Sequence, residues 1–326
     1  MTVLNNYKDF FVDNYTNFPK GKYINIVIVR KTESETIFRT EGSGEPLNRE
    51  YISAGKENKD IIARSIISKR KQTAVERRTG REILRNYDLL KFKDKKGVES
   101  ECTLNTNSPC EKCPDCMIYG FAVGGGGAQK ARVITEDAFS ILPINLITDT
   151  KTFNATYDNG TMRSKDEKGK EIISSSLGSS EYIKPETHFI DIEVLKDVTQ
   201  NDLLYVLGNI LRSTRYGAMT SRIGKVHNEI INIIFSDTEI FSTLELTQAV
   251  YDDLTKEKKD LDFPLQDNIV FKSVSQESTK LAENEVFGKF KVMSSDDLNT
   301  LNNELKTLYS NPQEFLKSLS NSYKGE

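Results

Sequence analysis

Alternation of apolar and polar side chains predicts strands in several parts of the chain. Residues 22–42, KYINIVIVRKTESETIFRTEG, contain a β-branched run and a polar turn at residues 32–35, which predicts two strands. Residues 132–141 are strand-like, and residues 187–195 and 226–237 alternate in the way that half-buried strands do.

Apolar positions three and four residues apart predict helices elsewhere. Residues 199–213 are the clearest case, because Thr199 and Asp202 can form a capping box ahead of a wide apolar face. The basic region 59–91 is also expected to contain helical stretches. Near its start, four residues fall near helical spacing: Ile61, Ile62, Ser65 and Ile66.

Polar stretches separate these elements. Residues 150–182 are rich in turn residues and predict a long projecting hairpin. The glycines at 124–127 indicate a hinge or an exposed loop, and no Gly-Lys-Ser/Thr follows them, which excludes a nucleotide-triphosphate loop. Residues 238–326 are predicted to be mainly helical. The strand–helix–strand order over residues 187–237 is typical of half of a split βαβ sheet, so the sequence predicts an α+β fold.

The charge is unevenly distributed, although the net charge of the 326-residue chain is only −3. Residues 64–96 hold twelve Lys and Arg against four Asp and Glu, and residues 212–225 hold four basic residues and no acid. No arginine follows Arg222, and residues 251–326 carry a net charge of −4. Because a guanidinium matches phosphate geometry well, we expect a polyanion to lie against the first two thirds of the chain. A solvated helix face is the alternative interpretation of residues 64–96.

All four cysteines lie within fifteen residues, in the stretch CTLNTNSPCEKCPDC. Cys102, Cys110, Cys113 and Cys116 have the spacing C-x(7)-C-x(2)-C-x(2)-C, which suits four thiolate ligands of a structural zinc. An iron–sulfur cluster is the rival, since C-x(2)-C-x(2)-C also begins the bacterial ferredoxin pattern, but no further cysteine follows. Unmetallated thiols are the third possibility.

The sequence contains no sign of a membrane or of secretion. No stretch approaches the roughly 20 apolar residues of a membrane span, and the N-terminal residues lack a basic start followed by an apolar run. We therefore expect a cytoplasmic protein, in which thiols stay reduced and clustered cysteines indicate metal more than disulfides.

Four stretches together resemble the CRISPR-associated Cas-seven superfamily of backbone subunits, and most closely its type I-D (Csc-two) family. They are the strands at 22–40, CEKCPDCMIYGFAVGGGG, the polar hairpin leading into YIKPETHFIDIEVL, and RSTRYGAMTSRIGKVHNEII. The resemblance implies that residues 1–326 form one modified RNA-recognition-motif (ferredoxin-like) palm with insertions. On this basis residues 59–130 are the basic helical and zinc-bearing finger insertion, residues 150–186 are the thumb hairpin, and residues 238–326 are the helical C-terminal part.

The resemblance also implies a function, namely a backbone subunit of a Cascade effector complex in antiviral defence. Several copies would polymerise in a helical filament along a guide crRNA, bind its sugar–phosphate backbone without sequence preference, and present it to target DNA or RNA beside other effector subunits. The residues expected to contact RNA phosphates are Arg64, Lys69, Arg70, Lys71, Arg77, Arg78, Lys130, Arg132, Arg212, Arg215, Arg222 and Lys225.

Two other functions are weighed against this one. A metal-dependent ribonuclease on the same palm would need an acidic residue, and Asp60 or Glu45 could be offered without motif support. A zinc-stabilised protein-interaction module would direct its basic patch at an acidic partner. His188 and His227 are interpreted as structural, and without a nucleophile pattern the protein is expected not to be an enzyme.

Overall fold

A ten-residue apolar strand, Tyr23–Thr32, runs through the middle of the main sheet of the protein. The computed structural model describes residues 2–39, 46–94, 97–106, 109–124, 127–175, 177–256 and 261–323. Within them the chain is a mixed α+β structure, as the sequence predicts. None of the helices in these ranges combines the length and the apolar character that a bilayer crossing requires.

The strands and helices are numbered in chain order after a short 3-10 helix, Val3–Phe10. The strands are β1 (Tyr23–Thr32), β2 (Arg49–Ser53), β3 (Ile61–Ile67), β4 (Lys91–Lys93), β5 (Glu99–Glu101), β6 (Phe121–Val123), β7 (Gly127–Gln129), β8 (Val133–Thr135), β9 (Ala138–Ser140), β10 (Thr148–Asn154), β11 (Arg163–Lys165), β12 (Glu171–Ile173), β13 (Leu177–Ile183), β14 (His188–Lys196), β15 (Val226–Ser236) and β16 (Phe290–Val292). The helices are α1 (Lys69–Asn86), α2 (Pro114–Tyr119), α3 (Ile144–Ile147), α4 (Gln200–Arg212), α5 (Thr243–Thr255), α6 (Asp267–Glu285), α7 (Ser295–Ser310) and α8 (Gln313–Ser322).

Eight strands form the main sheet in the order β16-β15-β1-β14-β9-β3-β2, with β8 also paired to β14. All of these pairings are antiparallel. Because side chains alternate along a strand, β1 contributes to two cores. Ile26 packs in a core that includes side chains of α4, α7 and α8, and Val27 packs in another with α5 and α6.

The predicted hairpin is present. β10 and β13 pair from Thr148 opposite Ile183 to Asn154 opposite Leu177, and β11 pairs with β12 farther out.

The capping box predicted for α4 is also present, with Thr199 and Asp202 each accepting from the backbone N–H of the other.

Two predictions about local structure are wrong. The second strand expected after residue 35 is reduced to a single bridge between Thr36 and Ile183 in the described part of that segment. Residues 61–66 form strand β3 and not a helix, because β3 pairs with β2 on one edge and β9 on the other. Helix α1 begins only at Lys69.

A buried ion cluster ties helix α1 to the sheet. Arg30 of β1 is fully buried and donates from Nη2 to Asp191, Glu193 and Glu76 at 2.6, 2.7 and 2.9 Å. Its Nη1 donates to the Tyr216 hydroxyl at 3.0 Å. Since Glu76 belongs to α1 and the other two carboxyl groups to β14, one guanidinium fixes the inner face of α1 against the sheet.

Candidate metal centre and nucleic-acid interface

The four cysteines meet at one point. Cys102 follows β5, Cys113 is the N-cap of α2, and Cys116 lies in its first turn. Their Sγ atoms and that of Cys110 all lie within 4.8 Å of one another. The Sγ–Sγ distance is 3.6 Å from Cys102 to Cys116, 3.9 Å from Cys110 to Cys116, and 4.0 Å from Cys113 to Cys102. Thiolates about 2.3 Å from a tetrahedral zinc lie about 3.8 Å apart, so the arrangement fits that ion.

The local backbone favours thiolates over disulfides. The shortest of these Sγ–Sγ distances is far longer than the roughly 2.05 Å of a disulfide. Backbone N–H groups of Cys113, Cys116 and Cys110 donate to the sulfurs of Cys110, Cys113 and Cys102 at 3.2, 3.4 and 3.3 Å. Hydrogen bonds among the four thiols lower the pKa of Cys102 and Cys110 and raise the pKa of Cys113 and Cys116. A metal bound here would need all four sulfurs deprotonated.

A carboxylate between two of the cysteines binds helix α1. Asp115 is fully buried, and its two oxygens accept from Nε and Nη2 of Arg77 at 3.0 and 2.9 Å. Its Oδ2 also accepts from Nη1 of Arg81 at 2.8 Å. Arg81 in turn contacts Cys102, through the sulfur at 3.7 Å and through the backbone carbonyl. The cysteine segment is therefore docked on α1 by charge-assisted hydrogen bonds.

A groove of about 860 Å³ runs along α1. Among the described residues that line it, six are basic and none is acidic. The basic residues are Arg39, Lys69, Arg70, Lys71, Arg77 and Arg78. Other parts of the wall come from Leu104 and Asn105 of the cysteine segment and from Gly217 and Ala218.

A second depression of about 480 Å³ continues the first. The two share Val75, Arg78 and Gly217, and the second adds Arg212 and Arg215. We call the two together the basic groove. The basic segments at 64–96 and 212–225 are far apart in sequence, and the fold brings them together along this groove.

Two glycines shape the loop that forms one side of the basic groove. Gly217 has a φ of +86°, and a Cβ there would lie 2.6 Å from the Ile37 carbonyl oxygen. Gly224 has a φ of +87°, and a Cβ there would lie 2.3 Å from the Tyr216 carbonyl oxygen. Both positions need the left-handed conformation and the missing side chain that only glycine supplies.

Seven of the twelve predicted contact residues line the basic groove, namely Lys69, Arg70, Lys71, Arg77, Arg78, Arg212 and Arg215. Arg222 and Lys225 lie in the same loop as Arg215 but line neither depression. Lys130 and Arg132 line a separate depression of about 450 Å³.

Two predicted contact residues are buried. Arg64 is 0 % exposed and donates to the backbone carbonyls of Ala54, Ser140 and Ile141. Arg132 is 8 % exposed and donates to backbone carbonyls of Thr16 and Asp197. Each guanidinium satisfies buried carbonyl oxygens, so the prediction that it contacts phosphate is corrected.

Sequence reasoning missed three residues of the groove wall. Arg39 lies within residues 22–42, where the sequence predicts two strands, and its positive charge was the available signal. Leu104 and Asn105 lie between the first two cysteines, where the sequence carries no charge or periodicity that indicates contact with α1.

The two histidines have protein partners. His188 is nearly inaccessible, and its Nε2 lies 2.9 Å from Asp267, while burial lowers its pKa. His227 Nε2 lies 3.1 Å from Glu229, whose hydrogen bond raises the pKa of His227. Of the proposed ribonuclease acids, Asp60 is exposed on the chain before β3, and Glu45 lies outside the described residues. Among the described residues the only grouping of potential metal ligands is the cysteine cluster.

Comparison with known proteins finds one matching family and several solved structures with a similar fold. A family model described as Csc2 Crispr matches residues 10–319. The crystal structure of Thermofilum pendens Csc2 superposes with a TM-score of 0.60 at 19% identity, covering 100% of this chain and 99% of that one. A chain of a CRISPR RNA-guided surveillance complex in a pre-nicking state gives a TM-score of 0.50 at 8% identity, covering 87% and 99%. No curated protein matches the chain.

Proposed function

Because the chain belongs to the Csc2 CRISPR family, we propose that it is a backbone subunit of a type I-D CRISPR Cascade complex. In this role it polymerises along the guide crRNA and binds the sugar–phosphate backbone without sequence preference. The guide bases then remain free to pair with target DNA or RNA in antiviral defence.

The basic groove is the observation that carries this proposal. Its lining contains Lys and Arg from two distant segments, a single acidic residue, Glu82, and no aromatic side chain among the described residues. Cations bind phosphates of any sequence, whereas aromatic rings stack on bases. A groove of this composition supports binding to the backbone of a single strand.

The strand order supports the RNA-recognition-motif palm expected from the resemblance. The order β15-β1-β14-β9, with α4 between β14 and β15 in sequence, is that of a split βαβ sheet. In our proposal residues 1–326 form one such domain, residues 59–130 its finger insertion, residues 150–186 its thumb and residues 238–326 its helical part. The thumb of one copy would contact the guide bound by the next.

The cysteine cluster is proposed to hold one structural zinc. Four thiolates leave no open position for water or substrate, so the ion supplies folding energy and no chemistry. Cys102, Cys113 and Cys116 are also part of the main apolar core, which makes the cluster a point where the finger joins the palm.

The remaining features of the proposal are the binding partners of the protein and its location in the cell. The partners are crRNA, further copies of the chain, other effector subunits and the target nucleic acid. The protein works in the cytoplasm and is not an enzyme. The state of His188 and His227, each held by a carboxylate, agrees with a structural role for both.

A binding experiment tests the proposed function. A labelled oligouridine and a mixed-sequence RNA of equal length are titrated with wild-type protein and with the Arg78→Gln/Arg215→Gln variant over a series of salt concentrations. We expect similar affinities for both RNAs and weaker binding of both by the variant. Loss of two phosphate contacts should reduce the slope of log K against log salt by about 1.4, at roughly 0.7 per contact on a single strand.

Lys306→Gln is the matched control, because Lys306 is an exposed cation on α7 in the arginine-free part of the chain. It should bind both RNAs as the wild type does. Equal losses in the control and the double variant would contradict the site. Absence of RNA binding by the wild type at low salt would support the protein-interaction module instead.

A further inference from the structure

We propose that Asp115 is a positioning residue that makes RNA binding in the basic groove depend on the cysteine cluster. This inference rests on the proposed function, since it assumes that the groove binds RNA. It assigns to a single carboxylate of the cysteine segment the task of orienting a groove arginine.

Asp115 lies between the cysteine cluster and the arginines of α1. It lies two residues after Cys113 and directly before Cys116, so its backbone moves with two members of the cluster. Its side chain is 0 % exposed, yet it accepts three hydrogen bonds from Arg77 and Arg81. These arginines are four residues apart on α1 and therefore share one face of that helix.

Arg77 depends on this segment for its orientation. Among the described residues, its hydrogen bonds go to Asp115 and, at 3.1 Å, to the Gly120 carbonyl, and its ring contact is with Tyr119 at 5.7 Å. All three partners lie in residues 115–120. The guanidinium is 20 % exposed and lines the basic groove, and none of the described residues accepts from its Nη1. The cysteine segment thus fixes the Nε and Nη2 side of the Arg77 guanidinium, while Nη1 is available to a phosphate.

Arg81 completes the connection on the cluster side. It donates to both the sulfur and the carbonyl oxygen of Cys102, and to Asp115. Leu104 and Asn105, which follow Cys102, form part of the groove wall. If the cluster comes apart, the groove loses this wall and the support of Arg77 together.

The charge of Asp115 allows the inference to be tested by the sign of an effect. Removing a carboxylate beside a polyanion site strengthens binding if only overall electrostatics matter. Removing one that orients a phosphate-binding arginine weakens it. Asp115→Asn should therefore bind oligouridine about tenfold more weakly, the loss expected for one charge-assisted hydrogen bond.

Glu111→Gln is the matched control. Glu111 is an exposed acid of the same segment and lines none of the depressions described above, so this variant changes the net charge by the same amount. It should bind oligouridine as well as the wild type or slightly better. In a double-mutant cycle, Arg77→Gln/Asp115→Asn should be no weaker than Arg77→Gln alone, because Asp115 acts through Arg77.

Zinc release provides a readout that does not depend on a variant. Because coupling between the affinities of two ligands is reciprocal, oligouridine should raise the zinc affinity of the wild-type protein, measured at equilibrium in competition with a coloured chelator, and Arg77→Gln should remove this effect. Equal zinc affinities with and without oligouridine would overturn the inference even if Asp115→Asn does not fold.

The outcomes separate the two proposals. If the wild type does not bind oligouridine, the proposed function fails, and this inference fails with it. If the wild type binds but Asp115→Asn, with full zinc content, binds as well as Glu111→Gln, the inference alone is wrong.

Discussion

The guanidinium of Arg30 donates from both Nε and Nη2 to the same oxygen of Asp191, at 2.8 and 2.6 Å, and neither side chain is exposed. Three carboxyl groups surround this one cation. Burial raises the pKa of Asp191 to about 6 and raises that of Glu193 well above its usual range. Burial and the neighbouring Glu76 carboxyl group therefore disfavour the charged form of Glu193.

This difference predicts unequal effects of two similar substitutions. Glu193→Gln replaces a carboxyl group whose charged form is disfavoured by a neutral amide whose oxygen can still accept from Arg30, so the free energy of unfolding should change by less than about 1 kcal/mol. Asp191→Asn removes the main partner of a buried guanidinium and should cost about 3 kcal/mol or more. Urea denaturation at pH 8 measures the free energy of unfolding of both variants. Equal losses of stability would contradict the unequal roles of Glu193 and Asp191.

Arg64 and Arg78 should respond in opposite ways to substitution. Burial lowers the pKa of Arg64 to about 10, and its donors satisfy three backbone carbonyls. Arg64→Met should lower the free energy of unfolding by about 3 kcal/mol and leave the RNA affinity of the folded protein unchanged. Arg78→Gln should weaken RNA binding without a loss of stability. Thermal melts and RNA titrations of the two variants check this, and weaker RNA binding by folded Arg64→Met would restore Arg64 to the site.

The cysteine cluster should contain about one zinc per chain, since four thiolates complete one tetrahedral site. Cys116→Ser should lose the metal and melt at a lower temperature, because Cys116 is also a core residue. Elemental analysis and thermal melts measure these effects. Iron together with visible absorbance in the purified protein would show that the cluster holds iron–sulfur instead.

Gly217→Ala should destabilise the protein more than Gly160→Ala does. Both glycines have positive φ, +86° and +75°, so each substitution carries the backbone cost of about 1 kcal/mol. Only at Gly217 would the new Cβ also meet a carbonyl oxygen, whereas nothing lies within 4 Å at Gly160. Urea denaturation compares the two, and equal losses would mean that the loop at 212–225 adjusts freely.

The two histidines should contribute opposite pH dependences. Burial lowers the pKa of His188 below its unfolded value of about 6.5, so the unfolded chain binds more protons and stability from this group is lost as pH falls. The wild type should lose more stability between pH 7.5 and 5.5 than His188→Gln, by at most about 1.4 kcal/mol per pH unit. His227 has a raised pKa, so its stabilising contribution is present at low pH and lost as pH rises.

Denaturation curves of both variants over this pH range test the signs. His227→Gln should lack a contribution that grows toward acid pH, and it serves as the control for His188→Gln. A wild-type loss toward acid that is no larger than that of His188→Gln would mean that His188 titrates normally.

Local signals explain what the sequence predicts correctly. The capping box of α4 depends on Thr199 and Asp202 only, and the cysteine cluster depends on a spacing within fifteen residues. The prediction of a helix at residues 61–66 is wrong because a short apolar run fits both the helical and the strand periodicity. Pairing with β2 and β9 selects the strand. The basic groove was predictable as two charged segments, but the burial of Arg64 was not, because its partners are backbone carbonyls that carry no sequence signal.

The rims of the main sheet are short, with β16 three residues long on one side and β2 five residues long on the other. Strands of this length offer little template on which another chain could extend the sheet. Copies gathered along a guide would therefore be joined by side-chain contacts and by the shared RNA rather than by a continuous ladder of backbone hydrogen bonds. On the proposed function, digesting the nucleic acid should then take such an assembly apart, and the guide should set its length.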